Sequence, residues 1–278
     1  MEKFILSNGL EMPKIGFGTW KAENNVTSQA VCDALQCGFT HLDCAAKYDN
    51  EIEVGQGIQL SGVKREDIFI TSKLWNSVRG YHETIAAFEK TCQDLGVDYL
   101  DQYLIHWPVP KGCNDTYIAS NKETWRAMED LYNAGRIKSI GVSNFKIHHL
   151  QEIMESAMIL PMVNQIEFHP SCLHNELREY CKQHNIVVVG YSPLANGRVF
   201  QCDKLQEIPN KYGVSLSQLC IQYALQHDVL PLSKSVSKDR MIENLQLDFI
   251  ISQEDMEIID AIDTCGGSYK DSDYILFE

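Results

Sequence analysis

The sequence predicts a closed (β/α)8 barrel, and three observations predict it. Eight short apolar runs alternate in order with longer amphipathic stretches, the pattern of strand–helix units wound around a parallel sheet. No charge run or linker interrupts the alternation, so residues 1–278 read as one domain. The glycine fingerprint of the open, doubly wound alternative is missing: Gly16-Phe17-Gly18 and Gly55-Gln56-Gly57 both lack the third glycine and the right flanks. A P-loop lysine motif is absent as well.

Taken in order, the chain opens with Phe4-Ile5-Leu6, then Ser7-Asn8-Gly9, then Leu10-Glu11-Met12. Asn-Gly between two short apolar runs is a strong hairpin signal. Strands are expected at 14–18, 40–43, 68–74, 102–107, 137–143, 162–168, 186–192 and 229–233. The last is the weakest, because Pro231 brings no N–H to a ladder. Amphipathic helices are expected at 28–37, 81–95, 122–134, 216–226 and 238–245. Three of these stretches stop at Gly38, Gly96 or Gly135, as a helix does at a left-handed C-cap glycine. Trp125 shares helical spacing with Met128 and Leu131 and reads as core.

Composition narrows the function. The 278 residues are 44% hydrophobic, enough for a sizeable core, and show no apolar leader or long uncharged apolar run. Ten cysteines are scattered without a CxxC pair or a recognisable Cys/His metal spacing; free thiols in a reducing, cytoplasmic compartment are expected, and no metal. A formal net charge of −14 excludes nucleic acid and anionic membrane as natural partners. An anionic ligand therefore needs a local basic cluster, and "SKSVSKDRMIEN" is one: Lys234, Ser235, Lys238 and Arg240 stand near the start of a helix. Cations there oppose the helix dipole, whereas an anion among them would satisfy both.

The C-terminal ends of barrel strands are where such folds place their chemistry. In this chain those ends carry Thr19-Trp20, Asp43, Lys73-Leu74-Trp75, His106-Trp107-Pro108, Ser143-Asn144, Gln165 with Glu167, Tyr191-Ser192 and Lys234-Ser235. An acid, a lysine, a histidine, amides, hydroxyls and three tryptophans thus converge on one rim. Singly, each has a plainer reading: Asp43 as a cap, Tyr48 as core, His106 as a structural histidine, Lys73 as a solvated strand end.

The motifs continue in order along almost the whole chain: Gly16-Phe17-Gly18-Thr19-Trp20; Asp43-x-Ala45-x-x-Tyr48-x-Asn50-Glu51; Lys73-Leu74-Trp75; Leu104-Ile105-His106-Trp107-Pro108; Gly141-Val142-Ser143-Asn144-Phe145; Asn164-Gln165; Tyr191-Ser192-Pro193-Leu194; and Lys234-Ser235-Val236-Ser237 with Arg240, Glu243 and Asn244. In this the sequence resembles the aldo-keto reductases. Cys44 stands where a threonine is common in them, and Ser233 where a proline usually precedes the lysine. The resemblance implies a TIM barrel whose N-terminal β-hairpin closes the bottom. It also implies reduction of a carbonyl by hydride from NADPH, with Tyr48 as proton donor, Lys73 lowering its pKa, Asp43 pairing with that lysine and His106 orienting the carbonyl oxygen.

By the same resemblance Ser143, Asn144 and Gln165 would hold the nicotinamide carboxamide and Tyr191 would stack on its ring. Gly18, Thr19, Trp20, Asp43, Ser192, Leu194 and Val236 would line the rest of the cofactor. Lys234, Ser235 and Arg240 would take the 2′-phosphate, with Glu243 and Asn244 near the adenine. Trp20, Tyr48, Trp75, His106 and Trp107 would wall the substrate pocket. Loops 108–121 and 195–203 and the tail 264–278 would set specificity. The short tail, with Gly266-Gly267, Tyr269, Tyr274 and Phe277, implies an open pocket for small aldehydes, dicarbonyls and keto-sugars, and Asp271 and Asp273 would disfavour strongly anionic ones. A monomer is expected. Two other readings stay open: an NADPH-binding redox sensor or regulatory barrel without useful turnover, and a metal- or phosphate-dependent barrel lyase or isomerase.

Overall fold

The computed structural model describes residues 3–22, 24–113, 115–265 and 272–273. Strands β1 (Lys3–Ile5) and β2 (Glu11–Pro13) pair antiparallel, with Phe4 opposite Met12. Leu6 N–H donates to Leu10 O and Gly9 N–H to Leu6 O, closing a three-residue loop in which Gly9 has φ +84°, the position that favours glycine in such loops. Asn8 fastens the loop: its Oδ1 accepts from Leu10 N–H and its Nδ2 donates to Lys138 O.

Eight parallel strands then close a barrel: β3 (Gly16–Gly18), β4 (His41–Asp43), β5 (Phe69–Leu74), β6 (Gln102–Ile105), β7 (Ile140–Ser143), β8 (Val163–Glu167), β9 (Val187–Tyr191) and β10 (Val229–Ser233). Each pairs with the next, and β10 closes on β3 with Ser233 opposite Phe17. Pro231 lies within β10, opposite Gly190 of β9, while β10 pairs with β3 only from Leu232 onward. Several strands start later than the apolar runs that announced them: Ile137 makes only an isolated bridge to Leu100 before β7 begins. All five expected helices form, as Asn24–Cys37, Tyr81–Leu95, Tyr117–Asn133, Leu216–Gln226 and Lys238–Leu245. Gly38, Gly96 and Gly135 all take positive φ, and Gly96 N–H caps its helix on Cys92 O and Gln93 O. Trp125 is buried, its Nε1–H donating to Ile159 O at 3.0 Å.

Side chains two apart on a strand share a face, so the barrel interior is built in layers. At the N-terminal end Phe4, Leu6 and Met12 of the hairpin pack against Phe69, Leu104, Val163, Val189, Leu230 and Leu232 and close the barrel. Above them lies a polar layer. His41 Nε2 is 3.0 Å from Thr71 Oγ1, Thr71 donates to Gln102 Oε1, and Gln102 Nε2 donates to Ser139 Oγ. Gly16 leaves room for this layer: a Cβ there would stand 2.4 Å from Leu232 Cδ2 and 2.8 Å from His41 Nδ1. Further along the strands come Asp43, Lys73, His106, Ser143 and Gln165, at the C-terminal end. The tail residues Gly266, Gly267, Tyr269, Asp271, Tyr274 and Phe277 lie outside the described residues.

Candidate active site

Strand β4 ends at Asp43, and a short 3-10 turn, Ala46–Tyr48, brings Tyr48 back over it. Asp49, with φ +54°, ends that turn, and Asn50 Nδ2 ties the next residues to Thr19 O at 3.0 Å. From β5, Lys73 reaches into the same space, fully buried. Its ammonium donates to Asp43 Oδ2 at 2.6 Å, Cys44 O at 2.8 Å and Tyr48 Oη at 3.3 Å. Three donors meet three acceptors, which is how a buried lysine escapes most of its desolvation cost. The other Asp43 oxygen accepts from Gln165 Nε2 at 2.8 Å. The Cys44 carbonyl is a member of the set that the sequence did not reveal.

The charges of this cluster nearly cancel. Tyr48 is held well above its ordinary pKa, first by burial and then by Asp43. The net shift is upward even with the Lys73 ammonium beside the phenol, because burial disfavours the phenolate most. The phenol is therefore protonated throughout the neutral range. His106 is pushed well below its ordinary pKa by burial, with Lys73 and Arg79 adding to the effect, so it is a neutral imidazole. Its ring meets those of Tyr48 and Trp75 edge-on, at 5.8 and 5.1 Å, and its buried Nδ1 has no hydrogen-bond partner.

On the opposite side, Ser143 Oγ donates to Gln165 O at 2.9 Å. Asn144 Nδ2 donates to His106 O and Ser143 Oγ, both at 3.0 Å, and its Oδ1 accepts from Tyr191 Oη at 2.8 Å. Asn144 thus cross-links the ends of β6, β7 and β9. It does so in a left-handed conformation, φ +63°, and Ser192, Ala195 and Asn196 also have positive φ. Such non-glycine residues cost energy and cluster where geometry must be fixed.

The basic segment follows β10. Lys234 Nζ donates to Lys21 O at 3.0 Å, linking this loop to the one after β3. Ser235 Oγ accepts from Ser237 N–H at the entrance of the helix Lys238–Leu245. Lys238 lies 3.8 Å from Asp33, whereas Arg240 is exposed and makes no ion pair among the described residues. Val236 is exposed and Glu243 half-buried. Asn244 is buried, and its Oδ1 has no partner. An exposed arginine beside an orphaned buried amide oxygen fits a ligand carrying both phosphate and a heterocyclic amine, so these residues fit a phosphorylated dinucleotide.

Of the remaining predicted residues, Thr19 is buried and donates from Oγ1 to Asp43 O, while Gly18 beside it is half-buried. Leu194 is half-buried against the core. Trp20 is 44% exposed, Trp75 half-buried and Trp107 buried, so the three predicted wall residues differ in exposure. Sequence reasoning missed Arg79, which ties that wall together. It donates to the carbonyls of Trp75, Val78 and Trp107 and to Asn121 Oδ1. Its only sequence signal is an arginine shortly after Lys73-Leu74-Trp75. Asp273 is ion-paired with Lys146, whose Nζ lies 2.5 Å from its Oδ2.

Comparison with known proteins agrees with this geometry. The family model described as "Aldo/keto reductase family" matches residues 14–264. The chain is 47% identical over 274 residues to a glyoxal reductase of Bacillus subtilis, covering 98% of this chain and 96% of that protein. A variant of Gox0644 solved in complex with NADPH superposes with a TM-score of 0.91 at 36% identity, covering 99% of this chain and 98% of that one. An aldo-keto reductase of Bombyx mori solved with NADP gives 0.85 at 32%, covering 93% and 91%. With a closed eight-stranded barrel, a hairpin plug and a family match over nearly its whole length, the chain belongs to the aldo/keto reductase family.

Proposed function

We propose that this oxidoreductase reduces small aldehydes, ketones and dicarbonyls to alcohols with NADPH, as a single-domain cytoplasmic monomer. The observation that carries the reading is the Lys73 ammonium bound at once to Asp43, Cys44 O and Tyr48 Oη. NADPH supplies a hydride to the carbonyl carbon. Tyr48 supplies the proton to the carbonyl oxygen, so that one C–H and one O–H bond form as the C=O π bond is lost. Burial keeps the Tyr48 proton in place at neutral pH. As negative charge grows on Oη during transfer, the adjacent ammonium stabilises it without having to reorganise. His106, neutral, has an N–H to offer the carbonyl oxygen and so orients it toward Tyr48. Trp20, Trp75 and Trp107 exclude water above the reacting carbon.

Ser143, Asn144 and Gln165 hold the nicotinamide amide and Tyr191 packs its ring, with Gly18, Thr19, Ser192, Leu194 and Val236 along the cofactor. Lys234, Ser235 and Arg240 hold the 2′-phosphate, and Glu243 and Asn244 the adenine. The similarity to a glyoxal reductase favours small dicarbonyls. Among the described residues no helix is long and apolar enough to cross a membrane.

Two variants test the proposal against a carbonyl panel followed by NADPH oxidation. Tyr48→Phe is expected to bind NADPH normally and to lose roughly 10²–10⁴-fold in kcat, the usual worth of a positioned proton donor. Near-normal turnover would remove Tyr48 from the role, and no turnover by the parent chain despite NADPH binding would favour a sensor. Arg240→Ala is expected to weaken NADPH by about 1.5–3 kcal/mol, the scale of a charged hydrogen bond, and NADH hardly at all. Equal losses for both cofactors would show that Arg240 does not read the phosphate.

A further inference from the structure

The 3-10 turn that aims Tyr48 inward aims its neighbour outward. The turn Ala46–Tyr48 is fixed by Tyr48 N–H donating to Ala45 O at 2.9 Å and Asp49 N–H to Ala46 O at 3.3 Å. Successive residues of such a turn point about a third of a revolution apart. Tyr48 thereby meets Lys73, while Lys47 is exposed. The Lys47 ammonium lies over the Trp75 ring, 5.2 Å from its centroid, and an indole is the aromatic face that attracts a cation best. Trp75 also meets the His106 ring edge-on at 5.1 Å. One indole therefore spans from His106 to Lys47.

Two cations at Trp75 have no anion. Lys47 makes no ion pair and donates no hydrogen bond among the described residues, although Asp49 stands two places on. Its three N–H donors are committed to no protein acceptor there. Arg79 holds the backbone of the same tryptophan. It donates to Trp75 O at 2.9 Å, Val78 O at 2.8 Å, Trp107 O at 2.7 Å and Asn121 Oδ1 at 3.1 Å. All four acceptors are neutral, and no carboxylate pairs with it among the described residues. Burial pushes the guanidinium down to about 10, which leaves it charged at neutral pH. Other cations of this rim are matched, Lys73 by Asp43 and Lys146 by Asp273. In a chain of net charge −14, the wall at Trp75 thus keeps a positive surplus. An exposed lysine over an indole is by itself a common surface contact. What sets Lys47 apart is its place, one residue from the proton donor and across Trp75 from His106.

We infer that Lys47, supported by Arg79, is a specificity-determining residue that selects carbonyl substrates carrying a carboxylate or phosphate a short chain away from the reacting group. The inference rests on the proposed carbonyl reduction and deepens it by naming the substrate's second group. With the carbonyl oxygen between Tyr48 and His106, a chain lying along Trp75 brings its far end to the Lys47 ammonium. There an anionic oxygen accepts the N–H donors that the protein leaves unused, in charge-assisted hydrogen bonds. Arg79 does not touch the anion; its field adds to the attraction from a buried position, where screening is weak. Lys47 meets the end of the substrate that does not react, so its contact is the same before and during hydride transfer. It therefore acts on KM and not on kcat. Neutral aldehydes are reduced without this contact.

The test is NADPH oxidation with matched substrates: 4-oxobutanoate against its methyl ester, and glyceraldehyde 3-phosphate against glyceraldehyde. Lys47→Met keeps the stem of the side chain and removes its charge. It should lower the anionic-to-neutral ratio of kcat/KM by about fivefold, the scale of an exposed ion pair, with kcat and the neutral substrates unchanged. The pair whose ratio responds identifies the group, carboxylate or phosphate. Lys47→Glu should lower the ratio further, and Lys47→Arg should keep the parent's. Added salt should erode the ratio in the parent and leave Lys47→Met as it is. NADPH affinity should be equal in the parent and all three variants, which separates this role from one in cofactor binding. The inference is overturned if both ratios are the same in the parent, Lys47→Met and Lys47→Glu, or if Lys47→Met loses neutral and anionic substrates alike. A parent that reduces neither neutral substrate would instead remove the proposed reaction, and this inference with it.

Discussion

At its N-terminal end the barrel is stoppered by Phe4, Leu6 and Met12 against Phe69, Leu104 and Leu232, with Met12 fully buried. At the other end the same strands present Asp43, Lys73, His106, Ser143 and Gln165. The first end is apolar and filled by an element added outside the ring, with left-handed residues at Asn185 and Asp228 where the chain enters β9 and β10. The second holds charges in a hydrogen-bonded chain and carries left-handed residues at Asn144 and Ser192. One end spends its side chains on packing. The other keeps polar atoms such as His106 Nδ1 without partners, which is useful only if something else arrives to meet them.

The sharpest way to test that division is to damage each end in turn. Lys73→Met strips Asp43 of its ion-pair partner while leaving it buried. Breaking a buried pair on one side costs about 3–5 kcal/mol, and reduction should be abolished. Adding Asp43→Asn should restore much of the stability and none of the activity. Urea unfolding beside NADPH oxidation checks both, and an active Lys73→Met would break the comparison outright. Met12→Ala empties the stopper and should cost roughly 2–5 kcal/mol with kcat on small aldehydes unchanged. A comparable loss of kcat would mean the two ends are coupled.

The smallest effect concerns Glu51, which is buried outside the barrel wall and accepts hydrogen bonds from Ser72 at 2.6 Å and Thr91 at 3.2 Å. Burial raises its pKa to about 7, against the pull of those two donors. The folded chain keeps this proton where the unfolded chain has released it. The stabilisation is therefore complete below the ordinary carboxylate value of 4.5 and is lost as pH rises through about 7. Glu51→Gln removes that slope, so the variant should gain on the parent between pH 5 and 8, by an order of 1 kcal/mol. A difference independent of pH would show that Glu51 does not titrate with folding.

Much of this was legible in the sequence, for identifiable reasons. Strand ends could be read because buried parallel strands are apolar runs, and a polar residue at their close stands out: Asp43, Lys73 and His106 were visible in that way. The glycine stops at Gly38, Gly96 and Gly135 were visible because only a left-handed residue ends a helix so abruptly. Pro231 misled in weight: β10 forms around it, paired with β9 at Pro231 itself and with β3 from Leu232 onward. Arg79 was illegible, since its partners are mostly backbone carbonyls, which leave no mark on sequence. So was the net sign of the Tyr48 shift, a balance between burial and two opposite charges a few ångströms apart.

The stopper has a consequence in time. β1 and β2 leave the ribosome before the strands of the ring, yet the surface they close is complete only when β10, whose Leu230 and Leu232 form part of it, has been made. The seam that shuts the ring joins Phe17 to Ser233, contacts of such separation that chain closure slows them. For most of its synthesis the nascent chain therefore carries Phe4, Leu6 and Met12 with incomplete cover, a sticky segment waiting for its last partner.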